Sequence, residues 1–176
     1  MVWRSRTTPT DRFFACLVYL LPLAEAYLLG GLLLSWIAAL IPPIAPLMVI
    51  LSFPLQLISE LYLLILRPFQ FGSFGLGGFL IFVLLFALVV RNEQICHFVR
   101  FNTMQSIMIG IALSLFSVLW SLVTQIIPVF AILTLPLAGG LLLGTLALCG
   151  YSIFQSIVGK YAEIPTISDA AYVRVQ

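Results

Sequence analysis

The sequence predicts an all-α membrane protein: a bundle of four transmembrane helices with an extra proline-interrupted segment after the first helix. Long apolar runs cover most of its 176 residues, and 62% of them are hydrophobic. Charged residues make up only 8%, whereas a soluble domain carries roughly 25%. Eight basic and six acidic side chains cannot cover the surface of a soluble protein of this size. The chain is therefore predicted to form one domain within a bilayer.

Four apolar stretches are predicted to cross the bilayer. A transmembrane helix needs about 20 residues, each adding about 1.5 Å along its axis. The predicted spans cover residues 13–34, 71–90, 102–123 and 133–158, and a short polar tail follows at 160–176. Hydrophobicity in the first run continues past Gly30 and Gly31 rather than ending at a cleavage site. The first helix is therefore predicted to be retained as a membrane anchor.

The apolar segment at residues 41–67 is predicted not to span the membrane. Four prolines interrupt it: Pro42, Pro43, Pro46 and Pro54. Proline lacks the backbone N–H and disrupts the preceding helical turn. Three polar residues then follow: Gln56, Ser59 and Glu60. We interpret the segment as bent and either re-entrant or interfacial, with a short amphipathic helix from Leu55 to Leu66.

The distribution of basic residues supports four spans rather than five. With the N-terminus inside, four spans place seven of the eight basic residues on the inner side: Arg4, Arg6, Arg12, Arg91, Arg100, Lys160 and Arg174. Only Arg67 then lies outside. Because cytoplasmic loops are enriched in Lys and Arg, both termini are predicted to face the cytoplasm or stroma.

A stripe of small and polar residues runs along the third predicted span. Its members recur at intervals of four, four, four, three and four residues: Asn102, Ser106, Gly110, Ser114, Ser117 and Ser121. That spacing keeps them on one helical face. Packing against another helix is the ordinary use of such a face. The alternatives are one wall of a polar path or a contact between subunits.

Other polar groups are also predicted to lie within the membrane. Glu25 is the one carboxylate in a predicted span, and ionisable groups there are costly and often functional. If the helix ends at Gly30, Glu25 instead has a structural role near the outer interface. The last span carries Gln155 and also Gly140 and Gly144, whose spacing favours the close approach of another helix.

The sequence predicts neither an enzyme nor a cofactor or metal. His97 is the single histidine and lies beside Cys96, whereas zinc usually takes three or four protein ligands. Glu93 and His97 are one helical turn apart, but no nucleophile accompanies them. The Lys and Arg residues are scattered, which excludes the basic patch typical of nucleic-acid binding.

Four runs of residues carry a family resemblance. They are Tyr-Leu-Leu-Pro-Leu at 19–23, Leu-Val-Val-Arg-Asn at 88–92, His-Phe-Val-Arg-Phe-Asn-Thr-Met-Gln-Ser-Ile at 97–107, and Gly-Lys-Tyr-Ala-Glu-Ile-Pro-Thr-Ile-Ser-Asp-Ala-Ala-Tyr at 159–172. Through them the chain resembles the family of the twenty-kilodalton membrane subunit of Tic, the translocon at the inner envelope membrane of chloroplasts, and its cyanobacterial relatives. The N-terminal segment lacks the pattern of a transit peptide, which fits a cyanobacterial or plastid-encoded member.

The resemblance implies a four-helix protein of the plastid inner envelope, or of a cyanobacterial plasma or thylakoid membrane, with no catalytic residues. It carries over motif residues that are candidates for partner contacts: Arg91, Asn92, His97, Phe98, Arg100, Phe101, Asn102, Met104 and Gln105. The tail contributes further motif residues that are candidates for partner contacts: Tyr161, Glu163, Pro165, Ser168 and Asp169.

These motif residues suggest specific contacts. Asn102 and Gln105 are expected to hydrogen-bond to a neighbouring helix, and Arg100 to meet lipid phosphate or a partner. The short tail is suited to docking against the loop at 91–105. In that arrangement Glu163 or Asp169 would pair with a nearby arginine, either Arg91 or Arg100.

The favoured function is a membrane component of protein translocation or import, with channel formation as one form of it. The first alternative is a non-channel scaffold or assembly factor, which the small number of charges within the membrane favours. The second is a small-solute transporter, although no inverted repeat is visible. The expected partners are the lipid bilayer, other translocon or membrane-protein subunits, further copies of the chain, and precursor polypeptides.

Overall fold

The computed structural model describes residues 7–66, 76–164 and 167–175. Within these ranges the regular elements are helical: α1 Pro9–Leu17, α2 Leu20–Leu40, α3 Ala45–Leu66, α4 Leu76–Leu85, α5 His97–Ile126, α6 Thr134–Val158 and α7 Ile167–Val175. A π-helical turn, Phe86–Val90, continues α4, and short 3₁₀ turns at Pro42–Ile44 and Pro128–Leu133 precede α3 and α6. The predicted all-α class is confirmed.

Four helices in the described residues are long and apolar enough to cross a membrane. They are Pro9–Leu40, which contains α1 and α2, Pro42–Ile65, His97–Ile126 and Pro128–Val158. The predicted spans at 13–34, 102–123 and 133–158 fall within three of them. The composition and these four helices together establish an integral membrane protein with an all-α fold.

The fourth long helix differs from expectation. The helix predicted from Leu55 is too short, because α3 begins at Ala45 and continues through Pro54. Pro42 and Pro43 lie in the preceding 3₁₀ turn, and Pro46 lies in the first turn of α3, where backbone N–H groups have no intrahelical acceptor. Only Pro54 interrupts the helical hydrogen bonding. The four prolines therefore remove fewer helical hydrogen bonds than their number suggests.

The predicted span at 71–90 is described only in part. Residues 71–75 lie outside the described ranges, and the apolar helix Leu80–Val90 is shorter than the four long ones. Pro42–Ile65 is therefore long enough to cross a bilayer, whereas the sequence analysis placed the second span at residues 71–90. Which of the two segments crosses the membrane stays a prediction.

The chain divides into two compact units. The first contains residues 1–20, 66–108 and 148–176, and the second contains residues 21–65 and 109–147. In the first unit, buried side chains of α4, α5 and α7 form an apolar cluster: Phe82, Val90, Phe101, Met104, Ile107 and Ala171. In the second unit, α3 buries one face at Leu55, Ser59 and Tyr62.

Helix ends in the first unit are fixed by local chemistry. The Thr8 side chain accepts from the Asp11 backbone N–H while Asp11 accepts from the Thr8 N–H, a capping box that starts α1. At the end of α6, Gly159 adopts φ 78°, which glycine tolerates without steric cost. A Cβ there would lie 2.8 Å from Thr7 Oγ1 and 2.9 Å from Arg12 Cζ. Gly159 thus turns the chain into the tail beside the start of α1.

Candidate functional site

A buried group of polar side chains lies in the first unit. We call Tyr19, Asn102, Gln105, Ser156 and Ser168 the polar cluster. The Tyr19 hydroxyl lies 2.9 Å from Asn102 Oδ1 and 2.7 Å from Gln105 Oε1. Because a phenol has one proton to donate, it serves these two amide oxygens in turn. All five side chains are at least nine-tenths buried, so their hydrogen bonds are shielded from competing water.

Gln105 ties α5 to the C-terminal tail. Its Nε2 donates to the Ala162 carbonyl at 2.8 Å and to Ser168 Oγ at 2.7 Å. Ser168 Oγ in turn accepts from the Ile164 backbone N–H at 2.6 Å. One amide side chain therefore contacts the tail on both sides of residues 165–166. This contact agrees with the expected docking of the tail, although the tail docks against helix α5 itself.

Asn102 links α5 to α6. Its Nδ2 donates to the Phe98 carbonyl one turn earlier at 2.7 Å, and its Oδ1 accepts from Ser156 Oγ at 3.1 Å. Both amide functions are thus used within the chain. The expected hydrogen bonding of Asn102 and Gln105 to neighbouring elements is present in the first unit.

Ser106 satisfies a backbone carbonyl that a proline leaves free. In a continuous helix the Val18 carbonyl would accept from the N–H of residue 22. Residue 22 is proline and has no N–H. Ser106 Oγ donates to the Val18 carbonyl at 2.6 Å instead. The break between α1 and α2 and the first serine of the stripe therefore complement each other.

The Arg100 side chain binds a backbone carbonyl at the end of the π-helical turn. Its Nε donates to the Val90 carbonyl at 2.8 Å, at the end of the π-helical turn. The pairing of Arg91 or Arg100 with an acid of the tail stays a prediction. Irregular helix ends leave backbone carbonyls without intrahelical donors, and a guanidinium satisfies one of them here.

An aromatic group holds the start of the tail. Tyr161 packs edge-on against Phe98 and Phe101, with ring centroids 5.2 and 5.1 Å apart. Its hydroxyl lies 3.1 Å from His97 Nδ1. Four residues of the two longest motif runs therefore contact one another.

The remaining motif residues separate by exposure. Met104 is buried in the apolar cluster, whereas four polar residues are exposed: Arg91, Asn92, Glu163 and Asp169. Pro165 lies outside the described residues. The buried members hold the unit together, and the exposed ones are available to partners.

The intramembrane candidates occupy four different environments. Ser106 is buried in the first unit. Ser114 donates to the Glu25 carboxylate in the second unit. Ser117 and Ser121 line a cleft described below. Gln155 is half-buried, and its carbonyl accepts from the Lys160 N–H at 2.9 Å.

Sequence reasoning missed the part that Tyr19 and Ser156 have in the polar cluster. Tyr19 is in the motif run at 19–23, but spacing along one helix does not predict a partner 54 or 83 residues away. The available signal was the Tyr19–Pro22 pair within an otherwise apolar helix. Proline frees a carbonyl, and a buried tyrosine hydroxyl needs a partner.

Comparison with known proteins identifies similar chains. The family model described as "Chloroplast import apparatus Tic20-like" matches residues 5–171. A "Tic20 family protein" of Synechocystis sp. (strain ATCC 27184 / PCC 6803 / Kazusa) is 43% identical over 178 residues, covering 100% of this chain and 99% of the relative.

Two further relatives match over parts of their length. "Protein TIC 20-v, chloroplastic" of Arabidopsis thaliana is 42% identical over 60 residues, which is 34% of this chain and 28% of the relative. "Tic20 family protein Ycf60" of Porphyra purpurea is 30% identical over 123 residues, which is 65% of this chain and 59% of the relative. No solved structure matches the chain significantly.

Proposed function

Because the chain belongs to the Tic20-like family of the chloroplast import apparatus, we propose that it serves as a non-enzymatic subunit of a protein-translocating membrane assembly. The family resemblance predicted from the four sequence runs is confirmed. We further propose that the chain works through its surfaces, as a scaffold that holds partners, rather than by enclosing a pore on its own.

The polar cluster is the observation that carries this proposal. Asn102 and Gln105 belong to the cluster, Ser106 follows them on the third predicted span, and polar residues such as these are the ones that line an aqueous path. All three are almost fully buried and bonded to other parts of the same chain. A side chain whose hydrogen bonds are already made inside a protein is not free to solvate a passing polypeptide.

The exposed motif residues supply the proposed docking surface. Arg91 and Asn92 follow the π-helical turn, and Glu163 lies in the tail segment that the aromatic group and Gln105 hold. Binding to a surface that is already ordered avoids the entropic cost of ordering it. We propose that other translocon subunits or precursor polypeptides contact this surface.

Co-purification tests the assignment. The chain would be isolated from its own membrane in mild detergent, alongside an Arg91→Glu, Asn92→Ala double variant. The matched control is Ser35→Ala, an exposed position on α2 whose hydroxyl donates to its own helix. We expect translocon subunits or precursors with the wild type and the control, and a loss of roughly tenfold or more with the double variant. Recovery of mature membrane complexes alone would support an assembly factor instead.

Channel formation by several copies is the second candidate, and one observation favours it. Among the described residues, a Cβ added at Gly140 or Gly144 would meet nothing within 4 Å, so this face of α6 has room for a helix from another molecule. Bulky substitution with Gly140→Leu and Gly144→Leu is expected to reduce cross-linking between copies if the face mediates assembly. Unchanged cross-linking would remove this candidate interface.

The orientation and the membrane are also proposals. The inside-positive distribution of basic residues supports cytoplasmic or stromal termini. Protease protection of tags at both ends, in sealed vesicles of known sidedness, checks this. Fractionation decides among plasma membrane, thylakoid and plastid inner envelope.

A further inference from the structure

A cleft of about 260 Å³ opens in the second unit. Helices α2, α5 and α6 border it, and we call it the hydroxyl cleft. Its lining comprises Leu29, Phe116, Ser117, Trp120, Ser121, Thr124, Thr134, Ala138 and Leu141. Four of these side chains carry hydroxyls and one carries an indole N–H, while the others are apolar. A cavity lined by apolar walls and a few convergent polar groups is the usual form of a small-ligand site.

Several of the hydroxyls keep hydrogen-bonding capacity. Trp120 Nε1 donates to Thr134 Oγ1 at 2.9 Å, which leaves the Thr134 proton to donate. Ser121 Oγ accepts from Gln125 Nε2 at 3.1 Å and likewise retains its proton. Among the described residues, Ser117 Oγ has no hydrogen-bond partner. The cleft therefore offers donors and acceptors to a ligand.

The position of the cleft along α5 corresponds to a membrane interface. Ser117 and Thr124 lie 20 and 27 residues after His97, which corresponds to roughly 30–40 Å along a helix. The hydrocarbon core of a bilayer is about 30 Å thick. If the His97 end of α5 lies at the basic side, the cleft lies near the opposite headgroup region. Trp120 fits this placement, because tryptophan is enriched at that level.

The lack of charged side chains in the hydroxyl cleft indicates which class of ligand it binds. The sequence contains no Asp, Glu, Lys or Arg from residue 26 to 59 or from 101 to 159, the stretches that supply the whole lining. An anionic headgroup is normally held by Arg or Lys, and this cleft has neither. A headgroup that is uncharged but rich in hydroxyls matches both the polar groups and the neutrality of the walls.

The stacked rings of Phe116 and Trp120 and the volume of the cleft further restrict the headgroups that can bind there. Phe116 and Trp120 stack with ring centroids 6.1 Å apart and planes 6° apart, forming an apolar platform against which the C–H face of a sugar ring can pack. A single sugar ring fits the volume.

We propose that the hydroxyl cleft binds the uncharged sugar headgroup of a membrane glycolipid. Ser117, Ser121 and Thr134 contact the sugar hydroxyls, and the Phe116–Trp120 pair supports its ring. The acyl chains remain in the bilayer. This lipid site is independent of the translocation role proposed above.

Native mass spectrometry of the full chain in nanodiscs tests the site. The discs would be phosphatidylcholine with equal small fractions of a monohexosyl diacylglycerol, phosphatidylglycerol and plain diacylglycerol, all with the same acyl chains. We expect the hexosyl lipid to be retained in preference to the other two. Equal retention of the three lipids, or preference for phosphatidylglycerol, would overturn the proposal.

Variants assign the retention to the cleft. Ser117→Ala with Ser121→Ala removes two hydroxyls, and retention is expected to fall by roughly tenfold. Ser117→Phe fills the cleft and is expected to abolish it. The control is Ser35→Ala with Ser52→Ala, two serines whose hydroxyls donate to carbonyls of their own helices. Undiminished retention in either cleft variant, or an equal loss in the control, would contradict the proposal.

Discussion

Single side chains in the first unit compensate for irregularities of the backbone. Ser106 supplies the proton that Pro22 cannot give to the Val18 carbonyl, and Arg100 satisfies the carbonyl that the π-helical turn exposes. In a membrane, water is not available to satisfy such groups. These polar residues therefore have structural reasons to be present before any contact with a partner is considered.

Ser106→Ala is expected to lower the free energy of unfolding by about 1–3 kcal/mol, because the half-buried Val18 carbonyl loses its donor. Pro22→Ala restores an N–H that can reach this carbonyl. The loss caused by Ser106→Ala should accordingly be smaller in the Pro22→Ala background. Thermal unfolding of the four chains in one detergent measures this coupling. Equal losses in both backgrounds would show that the proline has no part in it.

Gln105→Leu is expected to release the C-terminal tail. The substitution removes both donors to the tail and leaves the Ala162 carbonyl and Ser168 hydroxyl with fewer partners, at a cost of about 1–3 kcal/mol. Cleavage within residues 160–176 by a soluble protease should become roughly tenfold faster or more. Gln155→Leu is the matched control, since its side chain lies outside the polar cluster. Equal protection in both variants would contradict the account.

At the scale of elements, hydropathy predicted helices well and interruptions poorly. The first, third and fourth predicted spans fall in long helices because a run of apolar residues needs an apolar environment whatever its neighbours are. Within residues 41–67 the helix predicted from Leu55 was too short, because prolines were weighed by number rather than by position. Three of the four precede or begin α3, where proline costs little.

The glycines of α2 and α6 show which helix faces are occupied. A Cβ at Gly30 would lie 2.3 Å from the Ala138 carbonyl oxygen, and backbone atoms cannot easily move aside. Gly30→Ala is therefore expected to destabilise the fold by about 1–3 kcal/mol. Gly144→Ala meets open space and is expected to be neutral or stabilising by up to about 1 kcal/mol. Paired thermal unfolding curves check this, and similar losses in both variants would contradict the packing of α2 on α6.

At the scale of the whole molecule, the sequence led to the family but not to the organisation of its motif residues. The runs at 97–107 and 159–172 were unusual enough to carry the resemblance. Sequence alone did not separate buried Gln105 from exposed Asn92, because both are polar amides beside an apolar helix. Which amide is buried depends on tertiary packing. Gln105 contacts Ala162, which is 57 positions away, and Ser168, which is 63 positions away.

The same packing distinguishes a scaffold from a single-chain pore. A pore along the stripe of α5 requires water from Asn102 to Ser121, whereas the structure buries the first two members and leaves Ser117 and Ser121 beside the hydroxyl cleft. The account therefore predicts a stripe that is dry at one end.

Cysteine accessibility along this stripe tests that claim most directly. In a chain lacking Cys16, Cys96 and Cys149, single cysteines at Ser106, Ser117 and Ser121 would be treated with a charged, membrane-impermeant thiol reagent from each side of native membranes. Asn92→Cys and Glu163→Cys are exposed positive controls. We expect both controls to react and Ser106→Cys to remain unlabelled. Rapid labelling of Ser106→Cys together with both later positions would establish a continuous aqueous path and contradict the scaffold.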